Sequence, residues 1–570
     1  MTTGVEVIVD AFVRHDCERL YVYPGGTIAP ILHEAKNRGL DIFCGRHEQG
    51  AGYAALAVSR LRMQPQVVMV TSGPGVTNLI TAVADAYFDN TPLIVITGQV
   101  GTGDLKRDLP VRQRGFQEVD SCALMASITK AQFLVEHQDD LARVMDQAFY
   151  IASSGRFGPV LIDMPMNVQR GELSAPAVVL PILKMQQQDS DLAGIFSGIA
   201  QLAAWLNNAQ RPIIIAGQGV LLAQAHEELR MLATTYSIPV SHSLLGLGAM
   251  PSDSELSLGF HGHTGNQYAG KAIQNADLVI AIGSRLDVRQ TGNQFDRFAP
   301  GARIVRIDLD ANEAKHGRVR TDLLINADAK AALLALLPLL PELKTVKLPQ
   351  WSAWLQQIDA WRQEYALSYD QHSRFKPQWV VETADRLSRG QRVLAVTGVG
   401  SHQHWVARHF SFDYPRRALL TSGGHGAMGY DLPSAVGAQL QDKDALVLCF
   451  VGDGSLQMNM QELGAVAEHN LPVKIIVLDN HRLGIVSQFQ NFNWQDDPTT
   501  GNKWNPDFAV IAEGYGIRAF TIRESGAVEA TLQEAFAHHG PALVHCVIDE
   551  EEDITPMLLA GQTLDQMWSR

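Results

Sequence analysis

Cysteine is scarce in this chain: five in 570 residues (Cys17, Cys44, Cys122, Cys449 and Cys546), with no CxxC pair among them. That spacing argues against a disulfide-stapled scaffold and against a thiolate zinc site. Cys449 and Cys546 fall inside apolar runs, where a reduced core thiol is expected. No apolar run reaches the roughly twenty residues that span a bilayer, so no membrane segment is expected. Basic residues are also outnumbered, 46 lysines and arginines against 60 aspartates and glutamates, for a net charge of −14. With no basic run anywhere, nucleic acid is an unexpected partner. The N-terminus reads without a basic-then-apolar leader, and a cytoplasmic location is expected.

The remaining composition, 46% hydrophobic, is that of a large globular protein, and the length suits three or four domains. Short β-branched runs that end on glycine or a polar turn alternate with helical patterns. They include residues 20–23, 67–71, 93–98, 159–164, 213–217, 278–283, 304–308, 393–398, 446–451, 474–478 and 543–548. This alternation predicts an α/β protein with three doubly wound domains, each built on a central parallel sheet. Linker-like composition at 170–190 and 337–378 divides the chain into units at 1–180, 190–340 and 375–550, with a tail at 551–570. A tryptophan-bearing amphipathic helix is expected inside the second linker. The first and third units share a rhythm of strands and glycines, as related folds would.

The strongest chemical signal is Val451–Gly452–Asp453–Gly454–Ser455, answered by Asp479–Asn480 one helix and one strand later. Two parallel strands would bring the Asp453 carboxylate and the Asn480 carboxamide to one sheet edge. Such a hard-oxygen pair suits a small divalent cation that also meets phosphate oxygens. The glycines allow backbone N–H groups to close on a diphosphate. This spacing is the signature of thiamin diphosphate with Mg²⁺. Earlier in the chain, Glu48 in Arg46–His47–Glu48–Gln49–Gly50 opens a helix. It reads either as a charge favourable to the helix N-terminus or as the carboxyl that meets the cofactor's aminopyrimidine and assists its activation. Thr71–Asn78 reads as a tight turn with an N-cap, and Tyr23–Thr27 as a second glycine turn.

Taken together, YPGGTIAPI, RHEQGAGYAA, TSGPGVTNLITAVADA, PLIVITGQV, GFQEVD, SGRFGPVLIDMP, RLDVR, TSGGHGAMGY, GDGSLQMNMQELG and DNHRLGIV resemble the large subunit of acetohydroxyacid (acetolactate) synthases along nearly the whole chain. The resemblance implies a decarboxylating carboligase that joins the two-carbon unit of pyruvate to a second 2-ketoacid. An aldehyde or ketosugar acceptor is kept as the alternative, and a dinucleotide-binding or assembly protein with a decayed site as a rival of another class. By the same resemblance, Glu48 activates the cofactor, and Gly25, Gly26, Phe116 and Gln117 surround the reacting carbon. Met428 wedges the cofactor into its bent shape, while Val399, His402, Gln403, Gly426, Gly454 and Ser455 line the diphosphate. Pro24, Gly73 and Asn78 complete the cofactor set. Asp453 and Asn480 ligate the metal by side chain and Arg482 by its carbonyl. Arg289 grips the carboxylate of the second ketoacid, and Phe489 shapes the acceptor pocket where relatives preferring 2-ketobutyrate carry tryptophan. Gly217, Gly219, Gly283, Arg285 and Asp308 match an FAD-binding domain whose flavin has no net redox part. The resemblance also implies a homodimer or homotetramer with the active sites at the dimer interface, and a regulatory small subunit. Departures from the family wording fall at Arg112–Gly115, Met166, His263, Val288, Gly398, Ser401, His425 and Phe489.

Overall fold

A computed structural model describes residues 2–177, 192–340, 348–370, 374–494, 500–501 and 504–569. Part of each expected linker, at 178–191, 341–347 and 371–373, therefore lies outside the described residues.

Three six-stranded parallel sheets carry the chain. The first is made of β1 (Arg19–Tyr23), β2 (Asp41–Cys44), β3 (Gln66–Val70), β4 (Leu93–Gln99), β5 (Ala131–Leu134) and β6 (Pro159–Pro165), in the order β2-β1-β3-β4-β6-β5. The second is made of β7 (Pro212–Ala216), β8 (Val240–His242), β9 (Ser257–Phe260), β10 (Leu278–Ile282), β11 (Arg303–Asp308) and β12 (Leu323–Asn326), in the order β12-β11-β10-β7-β8-β9. The third is made of β13 (Val393–Thr397), β14 (Arg417–Thr421), β15 (Leu446–Gly452), β16 (Lys474–Asp479), β17 (Arg518–Ile522) and β18 (Ala542–Val547), in the order β14-β13-β15-β16-β18-β17. Counted within each unit, the first and third sheets have one and the same strand order. The middle sheet has the reversing order of a dinucleotide fold. Central strands such as β3, β4, β7 and β10 are buried at every residue. This is why they read as continuous apolar runs rather than alternating ones.

One hydrophobic cluster spans the first and third units. The helix Glu48–Arg62, rich in alanine and glycine, is buried from Gly50 to Arg60. It lies against the helix Asp431–Gln441 so closely that a Cβ at Gly437 would meet the Ala54 carbonyl oxygen at 2.2 Å. Arg60, itself buried, crosses the boundary. Its guanidinium meets Asp89 at 2.7 Å on one side and the Thr421 carbonyl at 2.5 Å on the other. Two residues of the expected tryptophan helix, Leu348–Glu364, join the middle unit: Trp351 and Trp354 donate to the Ala209 and Pro212 carbonyls. The last residues also pack inward. Ile554 and Met557 enter the core of the third unit, and Leu558, Leu564 and Met567 that of the middle one.

Candidate active site

The glycine turns, Glu48 and the metal-ligand candidates of the first and third units sit beyond the C-terminal ends of their strands, where a parallel sheet leaves a crevice. In the first unit, the turn after β1 holds Pro24, Gly25 and Gly26, and the turn after β3 holds Gly73. Hydrogen bonds between the Thr27 and Thr71 hydroxyls (2.8 Å) and from the Ser72 N–H to Thr27 Oγ1 (3.0 Å) lock the two turns together. A side chain at Gly25 would drive its Cβ to 2.3 Å from Thr71 Cβ. Gly73 adopts φ +65° and lies against Gln117, itself at φ +61°, so three loops converge. Phe116 projects beside them, 84% exposed. Glu48 starts its helix as the sequence predicts, buried, and accepts a 3.0 Å hydrogen bond from Asn78 Nδ2.

In the third unit, Asp453 follows β15 and Asn480 follows β16, on adjacent strands in register at Gly452 and Leu478. Both are buried. One terminal atom of the Asn480 carboxamide lies 3.3 Å from Asp453 Oδ1 and 2.7 Å from the Arg482 carbonyl oxygen. With nitrogen at that place the amide donates to both. With oxygen there, three acceptors converge, and only a cation would hold them together. Carboxylate, carboxamide and carbonyl oxygen form the donor set that Mg²⁺ prefers. Among the described residues, no group of three or more His, Cys, Asp or Glu offers a competing metal site.

Around this trio, Asp431 organises the sheet edge, a role that sequence reading missed. Its carboxylate accepts from His402 Nε2 at 2.9 Å and also from the Gly398 N–H and the Ser455 hydroxyl. A side chain at Gly398 would meet that carboxylate at 2.4 Å, so only glycine fits there. Ser455 Oγ in turn accepts from the Gly429 N–H, beside Met428. Gln403 is pinned by Thr421 Oγ1 (2.7 Å) and the Ser422 carbonyl. Gly426 takes φ +76°, and Gly454 lies near Met428. An aspartate one residue after a Gly–Tyr pair and opening a helix was the available signal for Asp431.

A cavity of about 950 Å³ runs between the three units, with Phe88, Asp89 and Arg156 of the first among its lining residues. Gly219, Gly283, Arg285, Asp308 and Arg289 line it from one side, and Val399, Gln403 and Gly426 from the other. Gly217 is not among its lining residues. Its place is explained by a backbone crossing, since a Cβ there would lie 2.1 Å from the Gly283 carbonyl. Burial pushes the Asp308 carboxyl above its ordinary range. Arg289 is exposed to the cavity, and among the described residues no carboxylate lies within ion-pairing distance of it. Its guanidinium instead approaches His263 Nδ1 at 3.4 Å. Burial, together with the Arg289 and Arg408 guanidiniums, holds His263 down to about 4. The neighbour of Arg289 is therefore a neutral imidazole that leaves its charge intact. His425, another departure, stacks on Phe88 at 5.6 Å.

Glu48, Gly25, Gly26, Phe116 and Gln117 do not line this cavity. Phe489, on the helix Gly484–Asn493, is 59% exposed and lies edge-on to Trp494. The segment after it, at 495–499 and 502–503, lies outside the described residues.

Models of three protein families match in order along the chain. They are the N-terminal TPP-binding domain of thiamine pyrophosphate enzymes over residues 2–124, the central domain over 199–336 and the C-terminal TPP-binding domain over 398–546. The acetolactate synthase catalytic subunit, mitochondrial, of Aspergillus candidus is 37% identical, over 98% of this chain and 82% of its own. The acetolactate synthase isozyme 3 large subunit of Escherichia coli (strain K12) is 35% identical over 100% and 98%. The mitochondrial catalytic subunit of Saccharomyces cerevisiae is 34% identical over 99% and 83%. These names support the ketoacid reading and lend nothing to an aldehyde or ketosugar acceptor. With identity sustained from end to end and the thiamin diphosphate turns folded at the sheet edges, the chain belongs to the acetolactate synthase family of thiamine pyrophosphate enzymes.

Proposed function

We propose that this chain joins the two-carbon unit of pyruvate to a second 2-ketoacid through the residues named above. The observation that carries the reading is the convergence of Asp453, Asn480 and the Arg482 carbonyl at the ends of β15 and β16. Those three hold Mg²⁺, while the backbone at Gly454 and Gly426, with Ser455, His402, Gln403 and Val399, receives the diphosphate. Bound thiamin diphosphate supplies an electron sink for the pair released as pyruvate loses CO₂. Glu48, oriented by Asn78, holds and shares the proton at the pyrimidine ring. Met428, beside Gly454, would pack against bound thiamin diphosphate and hold it bent. Pro24, Gly25, Gly26, Gly73, Phe116 and Gln117 wall off the reacting carbon from water. Arg289 orients the acceptor through its carboxylate, a task that suits a permanently charged fork without a carboxylate of its own. Phe489 closes the acceptor side. Gly219, Gly283, Arg285 and Asp308 receive FAD in the cavity, in a role without net redox change, and Gly217 secures the crossing beneath it.

Glu48 and Phe116 do not line the cavity that Gln403 and Arg289 share. We read this as two half-sites completed by a second copy in a homodimer or higher homo-oligomer. A regulatory small subunit is the further partner, and the compartment is cytoplasmic. Incubation with pyruvate, thiamin diphosphate and Mg²⁺ tests the reading. Acetolactate is the expected product, and Glu48→Gln should lower its formation by about 10²–10⁴-fold. Full carboligation by that variant would overturn the assignment of Glu48.

A further inference from the structure

The edge of the third sheet is crossed by one amide that none of these roles uses. Asn505 lies just before the helix Phe508–Gly514. Its Nδ2 donates to Asp453 Oδ2 at 2.7 Å and to Asp479 Oδ1 at 2.8 Å, with His481 Nδ1 at 3.2 Å. Asp479 cannot move to meet it. That carboxylate is fully buried and also accepts from His545 Nε2 at 2.9 Å and from the His481 N–H at 3.0 Å. Asp479 is thus the anchor, and Asn505 ties Asp453 to it.

The two oxygens of Asp453 then divide their work. Oδ2 turns toward Asn505, while Oδ1 turns toward Asn480 and, through it, the Arg482 carbonyl. Thr500 and Gly501 back the third ligand as well. Arg482 forms an isolated bridge with Gly501, and the Leu483 N–H donates to the Thr500 carbonyl at 3.0 Å. A carboxamide suits this position chemically. Its two N–H bonds serve two carboxylates without neutralising either, whereas a lysine would cancel charge the cation needs and an aspartate would add a third negative group.

We infer that Asn505 is a positioning residue for the divalent cation: it holds Asp453 with Oδ1 turned toward the other two ligands. The inference rests on the reading of Asp453, Asn480 and Arg482 as the ligands. Outer partners of this kind typically change metal affinity by about 10–100-fold when removed.

The test uses the full chain, stripped of metal, with thiamin diphosphate present. Mn²⁺ stands in for Mg²⁺, and free Mn²⁺ is read by electron paramagnetic resonance. Asn505→Ala should bind Mn²⁺ about 10–100-fold more weakly than the unmodified chain. Excess metal should restore kcat, with KM for pyruvate unchanged. Asn505→Ser, which keeps a small polar group, should fall between the two. Mn²⁺ binding by Asn505→Ala at the unmodified affinity overturns the inference. So does a loss of activity in both variants that no excess of metal reverses, since that is a damaged fold rather than a loosened ligand. An unmodified chain that takes up no Mn²⁺ would instead overturn the ligand assignment on which the inference stands.

Discussion

Glu462 takes its chemistry from the domain boundary it fills. It is buried between the first and third units and accepts from the Arg46 N–H at 2.9 Å, against Gly50, where any side chain would collide with it. Burial raises its carboxyl from 4.5 to about 7, outweighing the backbone donors of Arg46 and His47. The folded chain therefore keeps a proton that the unfolded chain gives up. The stability that Glu462 contributes is full below pH 4.5, falls as pH rises toward 7 and is flat above. Glu462→Gln keeps the shape without the charge. It should gain on the parent chain between pH 5 and pH 8, by up to about 3 kcal/mol. Denaturation midpoints across that range check this, and parallel pH profiles for the two chains would refute it. The residues legible beforehand were those whose type and place coincide at a strand end: Glu48, Asp453 and Asn480. Asp431, Asn505 and Glu462 were not, because a lone polar residue in a helix or loop shows its role only through partners distant in sequence.

At the scale of elements, glycine on a helix has opposite meanings at two places. Gly437 packs against the Ala54 carbonyl, and Gly437→Ala should cost about 1–3 kcal/mol through overpacking. Gly514, near the end of its helix, has nothing within 4 Å of a built Cβ, so Gly514→Ala should add about 0.5–1 kcal/mol. Thermal midpoints of the two variants should move in opposite directions. Strand legibility follows the same physics. The central strands were readable because burial on both faces demands unbroken apolar runs. Those that escaped reading, β2, β5, β8, β9, β12, β14 and β17, lie at or next to sheet edges. There, β5, β12 and β17 are only partly buried, and β8 and β9 are very short.

For the whole molecule, the two half-sites make a prediction about mixtures. Glu48→Gln and Asp453→Asn chains should each be inactive. Equal amounts, unfolded and refolded together, should recover about a quarter of full activity, since half the dimers are mixed and each holds one intact site. No recovery would mean that one chain completes its own site. Sequence alone determined the fold class and the placing of the glycine turns and of Asp453 and Asn480 at strand ends, because strand-end glycines, carboxylates and amides obey local rules of backbone shape and donor chemistry. Only the tertiary structure decided that one hydrophobic cluster spans the first and third units, that the Glu48 set does not line the Arg289 cavity, and that Asp431 and Asn505 hold the sheet edge. The reason is physical: burial, charge pairing and close backbone approach are set by contacts between elements, and no window along the chain contains both partners.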